Sequence, residues 1–360
     1  MQELHRDATR PIRVLIVDDS PLFRSLLHQQ LSSDADIEIV GMASDPMEAK
    51  DLVVACQPDV ITLDVEMPRM DGITFLKRLM NQRPTPVIMV SSYTHENSLR
   101  TLEALDAGAV DFVAKPAPDA QADLADLGRE LVMKLKAAAQ VRVRPLITQP
   151  TPTRKSAACG KVQRFSSSFP KRIVAIGGST GGPKAIQDIL MALPTQCCGI
   201  VIAQHMPPRF TQTFAKRLNS ELPLKAGEAK SGDRVEPGTV LVAPGGRHME
   251  VQHDAKGYSV RVYDGPAIKH QRPSVDVLFR SVAVAAGRHA IGVLLTGMGD
   301  DGGEGLLTLK QAGAVTIAQD EGSSVVFGMP KAAIALDAAQ QIVPLDEIPG
   351  IILANLAMET

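Results

Sequence analysis

Three residues able to form a hydrolytic triad stand at or just beyond the ends of apolar runs. Ser179 follows Ile173-Val-Ala-Ile-Gly-Gly, His205 follows Ile200-Val-Ile-Ala-Gln, and Asp301 follows Ile291-Gly-Val-Leu-Leu-Thr-Gly-Met-Gly-Asp. A serine hydroxyl is a weak nucleophile until a base takes its proton, and the base needs a third group to orient it. Gly177-Gly-Ser-Thr-Gly fits the G-x-S-x-G elbow, with an apolar run before it and the helical pattern Pro183-Lys-Ala-Ile-Gln-Asp-Ile-Leu after it. A helix start there directs backbone N–H groups at any anion that forms. Asp300, next to Asp301, competes for the orienting role. A rival reading has the glycine-rich turn cradle a nucleotide phosphate, but the spacing is not G-x-G-x-x-G. About 20 residues on, where a ribose-binding acid is expected, the chain offers Gln204-His205.

A second constellation lies in the amino-terminal third. Asp18 and Asp19 close the run Arg13-Val-Leu-Ile-Val, and Asp64 closes Val60-Ile-Thr-Leu. Three carboxylates gathered in a partly dry cleft repel one another, and a divalent cation compensates; magnesium suits hard oxygen ligands. Ser91 ends Val87-Ile-Met-Val, and Lys115 comes just after Val110-Asp-Phe-Val and before Pro116. A carboxylate beside a metal ion, a hydroxyl and an ammonium group is equipped to accept a phosphoryl group, because those neighbours neutralise charge on the transferring oxygens.

For such distant residues to meet, the apolar runs must be strands of parallel sheets, whose carboxyl ends share one edge. Apolar runs alternate with amphipathic stretches from about 12 to 140, the pattern of a parallel sheet with helices on its faces. Five strands are predicted: Arg13-Val-Leu-Ile-Val, Ile37-Glu-Ile-Val-Gly, Val60-Ile-Thr-Leu, Val87-Ile-Met-Val and Val110-Asp-Phe-Val. Ser20-Pro21 reads as an N-cap followed by proline at the first helical position, and helical spacing begins at Asp71 and recurs over roughly 120–140. A second alternation runs from Arg172 to the end. It is interrupted near 222–265 by a Gly- and Val-rich stretch that reads as hairpins, with Val240-Leu-Val-Ala and Tyr258-Ser-Val-Arg-Val-Tyr as strands. The expected fold is α/β, two doubly wound parallel-sheet domains, the second with an antiparallel hairpin region. The boundaries are a tail over 1–11, a domain over 12–140, a linker rich in Pro, Ser and Thr over 141–170, and a domain over 171–360.

Composition narrows the function. Lys and Arg total 38 against 40 Asp and Glu, so no global field draws the chain to nucleic acid or anionic lipid. No helix-turn-helix candidate or basic face follows the linker, which argues against a DNA-binding regulator. No apolar run approaches the roughly 20 residues that cross a bilayer, and the first residues lack the apolar core of a secretion signal. A cytoplasmic location without membrane insertion is expected. Cys56, Cys159, Cys197 and Cys198 show no metal-ligand spacing and are read as small apolar side chains.

Val17-Asp-Asp-Ser, Thr62-Leu-Asp-Val-Glu-Met-Pro-Arg-Met-Asp-Gly, Val90-Ser-Ser and Phe112-Val-Ala-Lys-Pro resemble the receiver domain of bacterial response regulators, a flavodoxin-like fold. The resemblance implies that Asp64 is the phospho-acceptor, that Asp18, Asp19 and Asp64 hold Mg²⁺, and that Ser91 and Lys115 sense the phosphate. It puts Phe112 in the place of the aromatic that shifts on activation, and it implies a histidine kinase as phosphodonor.

From 171 to 345 the chain resembles the catalytic domain of the chemotaxis protein-glutamate methylesterases, the CheB family, which is Rossmann-like. The matching segments are Ile176-Gly-Gly-Ser-Thr-Gly-Gly-Pro, Gln204-His-Met-Pro, Pro273-Ser-Val-Asp-Val-Leu-Phe, Leu295-Thr-Gly-Met-Gly-Asp-Asp-Gly and Val326-Phe-Gly-Met-Pro. By this resemblance Ser179 is the nucleophile, His205 the base and Asp301 its partner, with backbone N–H groups of Thr180 and Met298 as oxyanion donors and no cofactor in this domain. The implied reaction is phosphorylation-activated demethylation of glutamyl methyl esters, with glutamine deamidation, on methyl-accepting chemotaxis receptors. Gly178 stands where the family usually has Ala, and Asp300 where Asn or Ala is more common. An extra carboxylate there would raise a neighbouring pKa by repulsion.

Overall fold

The structure is a computed structural model that describes residues 10–67, 70–92, 94–116, 123–141, 143 and 172–357. Most of the expected tail, nearly all of the expected linker and Cys159 lie outside the described residues. The chain divides into two compact units, Met1–Ile147 and Thr148–Thr360.

In the first unit the five predicted strands form. They are β1 (Ile12–Val17), β2 (Ile37–Ala43), β3 (Val60–Asp64), β4 (Val87–Ser91) and β5 (Asp111–Ala114). All pairings are parallel, in the order β2-β1-β3-β4-β5. Every residue of β3 and β4 is buried, which is why these strands read as nearly unbroken apolar runs rather than alternating ones. One face is sealed by the helix Asp123–Ala138, which brings Leu127, Leu131 and Leu135 against Val14, Ile16, Ile88 and Val90. The helix Pro21–Leu31 starts where the Ser-Pro signal places it, with Ser20 Oγ accepting from the Phe23 amide at 3.3 Å. Asp71 caps Gly72–Gln82 by accepting from the Ile73 and Thr74 amides.

The second unit contains β6 (Ile173–Gly178), β7 (Gly199–Gln204), β8 (Lys225–Glu228), β9 (Thr239–Val242), β10 (His248–Asp254), β11 (Gly257–Tyr263), β12 (Ala290–Leu294), β13 (Val315–Gln319) and β14 (Gln341–Val343). Seven of these make a sheet in the order β14-β13-β12-β6-β7-β9-β8, with every pairing parallel. The stretch read as hairpins is a hairpin only over β10 and β11, an antiparallel pair in register from His248↔Tyr263 to Asp254↔Gly257. β8 and β9 instead extend the parallel sheet. The run Val240-Leu-Val is buried on both faces, the signature of a parallel strand and not of a half-solvated hairpin. Strand order reverses at β6, which lies between β7 and β12; ligands of such sheets bind beyond the strand ends at this kind of reversal. Among the described residues no helix is long and apolar enough to cross a membrane. Cys197 and Cys198 are buried and unbridged, their sulfurs 3.9 Å apart.

Candidate functional site

The reversal at β6 carries the first constellation. The last matched pair of β6 and β7 is Gly178↔Gln204, so Ser179 and His205 are the next residue on each strand. The backbone closes this corner: the His205 amide donates to the Gly178 carbonyl at 3.0 Å and the Ser179 amide to the Thr296 carbonyl at 3.0 Å. Gln204, itself buried, ties both residues together, its Nε2 donating to the Ser179 carbonyl at 2.8 Å and to that of His205 at 3.2 Å. Gly181, at φ +76°, takes the left-handed turn into the helix Gly182–Ala192. On the other flank Leu294 of β12 pairs with Gly177, and the loop beyond it brings Gly297 against the nucleophile. A Cβ built on Gly297 would lie 2.7 Å from the Ser179 Cβ. Thr296 Oγ1 joins the two loops, donating to the Thr180 carbonyl at 2.9 Å and accepting from the Val326 amide at 2.9 Å.

The same loop supplies Asp301. His205 Nε2 lies 2.8 Å from Asp301 Oδ2, with both side chains almost fully buried. Asp301 also sits at the amino end of the helix Val275–Ala286. Its Oδ2 accepts from the Val275 amide at 2.7 Å, and its Oδ1 accepts from Ser274 Oγ at 2.8 Å and the Asp276 amide at 3.1 Å. Burial would push this carboxyl up, but the His205 hydrogen bond and charge and the two helix amides hold it below the ordinary carboxylate value. Asp300 does not compete. Its side chain is 65 % exposed and pairs with Lys269 at 3.4 Å. The loop is braced from behind by Asp276, fully buried, which accepts from the Gly302 and Gly305 amides and meets Lys269 at 3.0 Å. Burial and the charge of Asp301 push the Asp276 carboxyl up.

With Nε2 committed to Asp301, His205 offers Nδ1 as the base. That nitrogen is buried and carries no hydrogen bond, so the Ser179 hydroxyl is not yet bonded to it. Such contacts commonly tighten only when substrate is bound. Thr180 is buried and follows the serine directly, and Met298 follows Gly297, so both backbones border the serine. The arrangement can perform nucleophilic acyl transfer. Gln204, Ser274 and Thr296 each stand inside a quoted motif, yet nothing in the sequence gives them a role. The only signal for Ser274 is that a serine precedes an apolar helical run, the mark of an N-cap.

In the first unit the ligand atoms of Asp18, Asp19 and Asp64 lie within 4.8 Å of one another. Lys115 Nζ is 2.7 Å from both Asp18 Oδ2 and Asp64 Oδ2. Burial outweighs the Lys115 charge and pushes the Asp64 carboxyl up to about 6, with Asp18 adding repulsion. Ser91 Oγ is fully buried and has no partner. Three clustered carboxylates, one of them held above its ordinary pKa by burial, are a donor set that fits a divalent cation with oxygen preference. Phe112 is buried, with Lys134 Nζ 5.3 Å from its ring centre and bonded to its carbonyl at 2.5 Å.

Residues 174–352 match the family described as CheB methylesterase, and residues 14–125 that described as response regulator receiver domain. A Geobacter metallireducens protein, protein-glutamate methylesterase/protein-glutamine glutaminase 1, is 50% identical over 347 residues, covering 95% of each chain. An Anaeromyxobacter dehalogenans protein, protein-glutamate methylesterase/protein-glutamine glutaminase 4, is 52% identical over 344 residues, 96% of this chain and 95% of that one. Among solved structures, the Thermotoga maritima CheB methylesterase catalytic domain is 38% identical, covers 51% of this chain and 97% of its own, and has a TM-score of 0.50.

Proposed function

This chain belongs to the CheB methylesterase family, and from that premise we propose that Ser179, His205 and Asp301 hydrolyse glutamyl methyl esters on chemotaxis receptors, under control of phosphorylation at Asp64. His205 Nδ1 takes the proton of Ser179 as Oγ attacks the ester carbonyl. Asp301 keeps the other ring nitrogen protonated and balances the imidazolium that forms. The tetrahedral oxyanion falls to the backbone N–H groups of Thr180 and Met298. Methanol leaves with the proton from His205; water, activated by the same nitrogen, then opens the acyl-serine and restores the glutamate. A glutamine side chain presented to the same groups loses ammonia by the same two steps. The chemistry needs no cofactor beyond these residues. The observation that carries the reading is the 2.8 Å contact between His205 and Asp301, made where His205 and Ser179 end adjacent strands.

In the receiver unit Asp18, Asp19 and Asp64 would hold Mg²⁺, which when bound neutralises charge on the phosphoryl oxygens. Asp64 takes the phosphoryl group from a histidine kinase. Lys115 gives up its Asp64 contact to pair with the new phosphate, and the unpartnered Ser91 hydroxyl turns to donate to it. Phe112 follows as the aromatic that registers the change. The protein works in the cytoplasm, where both kinase and receptor tails are available.

One experiment tests both halves: methanol release from methylated receptor membranes by wild type, Ser179→Ala and Asp64→Asn, with and without a small phosphodonor and Mg²⁺. Ser179→Ala is expected to lower the rate by very roughly 10⁶-fold. The phosphodonor is expected to stimulate wild type and not Asp64→Asn. Near-normal turnover by Ser179→Ala, or equal stimulation of Asp64→Asn, overturns the corresponding half.

A further inference from the structure

We propose that Ser274 is a positioning residue for the hydrolysis, acting through Asp301; the proposal rests on the triad reading above. Ser274 is 1 % exposed, and its Oγ donates to Asp301 Oδ1 at 2.8 Å. The same oxygen accepts from the Val277 amide at 3.4 Å and so caps the helix Val275–Ala286. A carboxylate that orients a base must present one oxygen and keep it there through a change of charge on the base. Asp301 gives Oδ2 to His205 and the Val275 amide, and what completes the hold on the plane of the carboxylate is what binds Oδ1. Without the Ser274 hydroxyl, Oδ1 keeps only the Asp276 amide at 3.1 Å. Apart from His205, the carboxylate is then held by two backbone amides alone, Val275 on Oδ2 at 2.7 Å and Asp276 on Oδ1. With its side-chain donor gone it is less firmly fixed about its last bond, and the imidazole with it.

Ser274 is itself held from the far side. Its amide donates to His248 Nδ1 at 3.3 Å, and His248, buried, bonds the Pro266 carbonyl through Nε2 at 2.9 Å. That pair of contacts fixes the His248 tautomer, with Nδ1 accepting and Nε2 donating. A chain of fixed contacts thus runs from Pro266 through His248, Ser274 and Asp301 to the imidazole of His205. A hydrogen bond to an ionised group is among the stronger ones, so its loss is expected to cost about 10- to 100-fold in rate.

The test measures methanol release by the full chain with phosphodonor present, for Ser274→Ala, Ser274→Gly and Ser274→Thr, with Ser179→Ala alongside. Glycine is tolerated at an N-cap almost as well as serine, so Ser274→Gly removes the hydroxyl with little loss of helix stability. The expected result is that Ala and Gly each lower kcat by about 10- to 100-fold with KM within about twofold, and that Thr restores most of the loss. The downfield proton resonance of the His205 Nε2–H is expected to shift or vanish in the Ala and Gly variants and to persist in Thr. Unchanged kcat in the folded Ala or Gly variant, or a Thr variant as impaired as Ala, overturns the proposal and leaves Ser274 a helix cap. If Ser179→Ala itself turns over normally, the triad reading fails instead, which keeps the two failures distinct.

Discussion

Replacing Asp301 with Asn preserves shape and removes a charge, and the hydrogen bonds around the carboxylate determine the damage. Four donors converge on it: His205 Nε2 and the Val275 amide on Oδ2, Ser274 Oγ and the Asp276 amide on Oδ1. An amide group has one acceptor oxygen, so in either orientation its NH₂ faces a backbone N–H. If the NH₂ replaces Oδ2, His205 must accept through Nε2 and carry its proton on Nδ1, where it cannot receive the serine proton. If it replaces Oδ1, the Ser274 hydroxyl can turn to accept, the Asp276 amide is left unpaired, and the tautomer survives without the balancing charge. The first outcome resembles the wrong-tautomer case, about 10⁴-fold in kcat, or about 5.5 kcal/mol of barrier. The unpaired buried amide costs about 1–3 kcal/mol of stability in either orientation. Methanol release under saturating substrate, with denaturant unfolding of the same preparations, reads both. A variant within tenfold of wild-type kcat and equally stable would refute the reasoning.

Three further outcomes are expected. Asp300→Asn leaves kcat within about twofold, because its exposed carboxylate pairs with Lys269 and not His205; the same methanol assay checks it. In metal-free protein Asp64 titrates near 6 when folded and near its ordinary value of 3.8 when unfolded, so folding takes up a proton between those values. Stability is therefore favoured at acid pH and falls by about 3 kcal/mol as pH rises through 6; Asp64→Asn removes this slope, and Mg²⁺ affinity weakens as pH drops through the same window, both measurable by unfolding and calorimetric titration. Gly72→Ala drives its new methyl group into the Asp64 backbone carbonyl, which no side-chain rotation relieves, and should lower receiver stability by about 2 kcal/mol or more in thermal melts.

Much of this was legible because buried parallel strands leave a strong mark. Nearly continuous apolar runs located the five receiver strands and β6, β7 and β12, and residues with chemistry at their ends located both sites. Ser20-Pro21 marked a helix start through a purely local signal. What stayed hidden depends on contacts between distant segments. β9 reads as a hairpin strand because it is short and lies in a Gly- and Val-rich stretch, β8 is not marked as a strand at all, and only the sheet they join shows that both run parallel. The choice between Asp300 and Asp301 is made by a helix whose amino end lies some 25 residues earlier in the chain. The reactive nitrogen of His205 is set by that same helix, since the carboxylate it anchors claims Nε2. Gln204 carries no pattern that sets it apart from any other buried polar residue, and Ser274 carries only that of a helix cap.

The corner formed by the His205 amide and the Gly178 carbonyl belongs to the inner ladder of the seven-stranded sheet, made by two fully buried strands. Such backbone opens only when the whole unit unfolds, so its amides should be among the last to exchange with deuterium. The spacing of nucleophile and base is consequently a property of the global fold, as durable as the fold itself. Rim loops can loosen without disturbing it, and modulation of turnover is expected to work on entry to the crevice or on the Asp301 loop, which is anchored to the helix Val275–Ala286 rather than to the strand ladder.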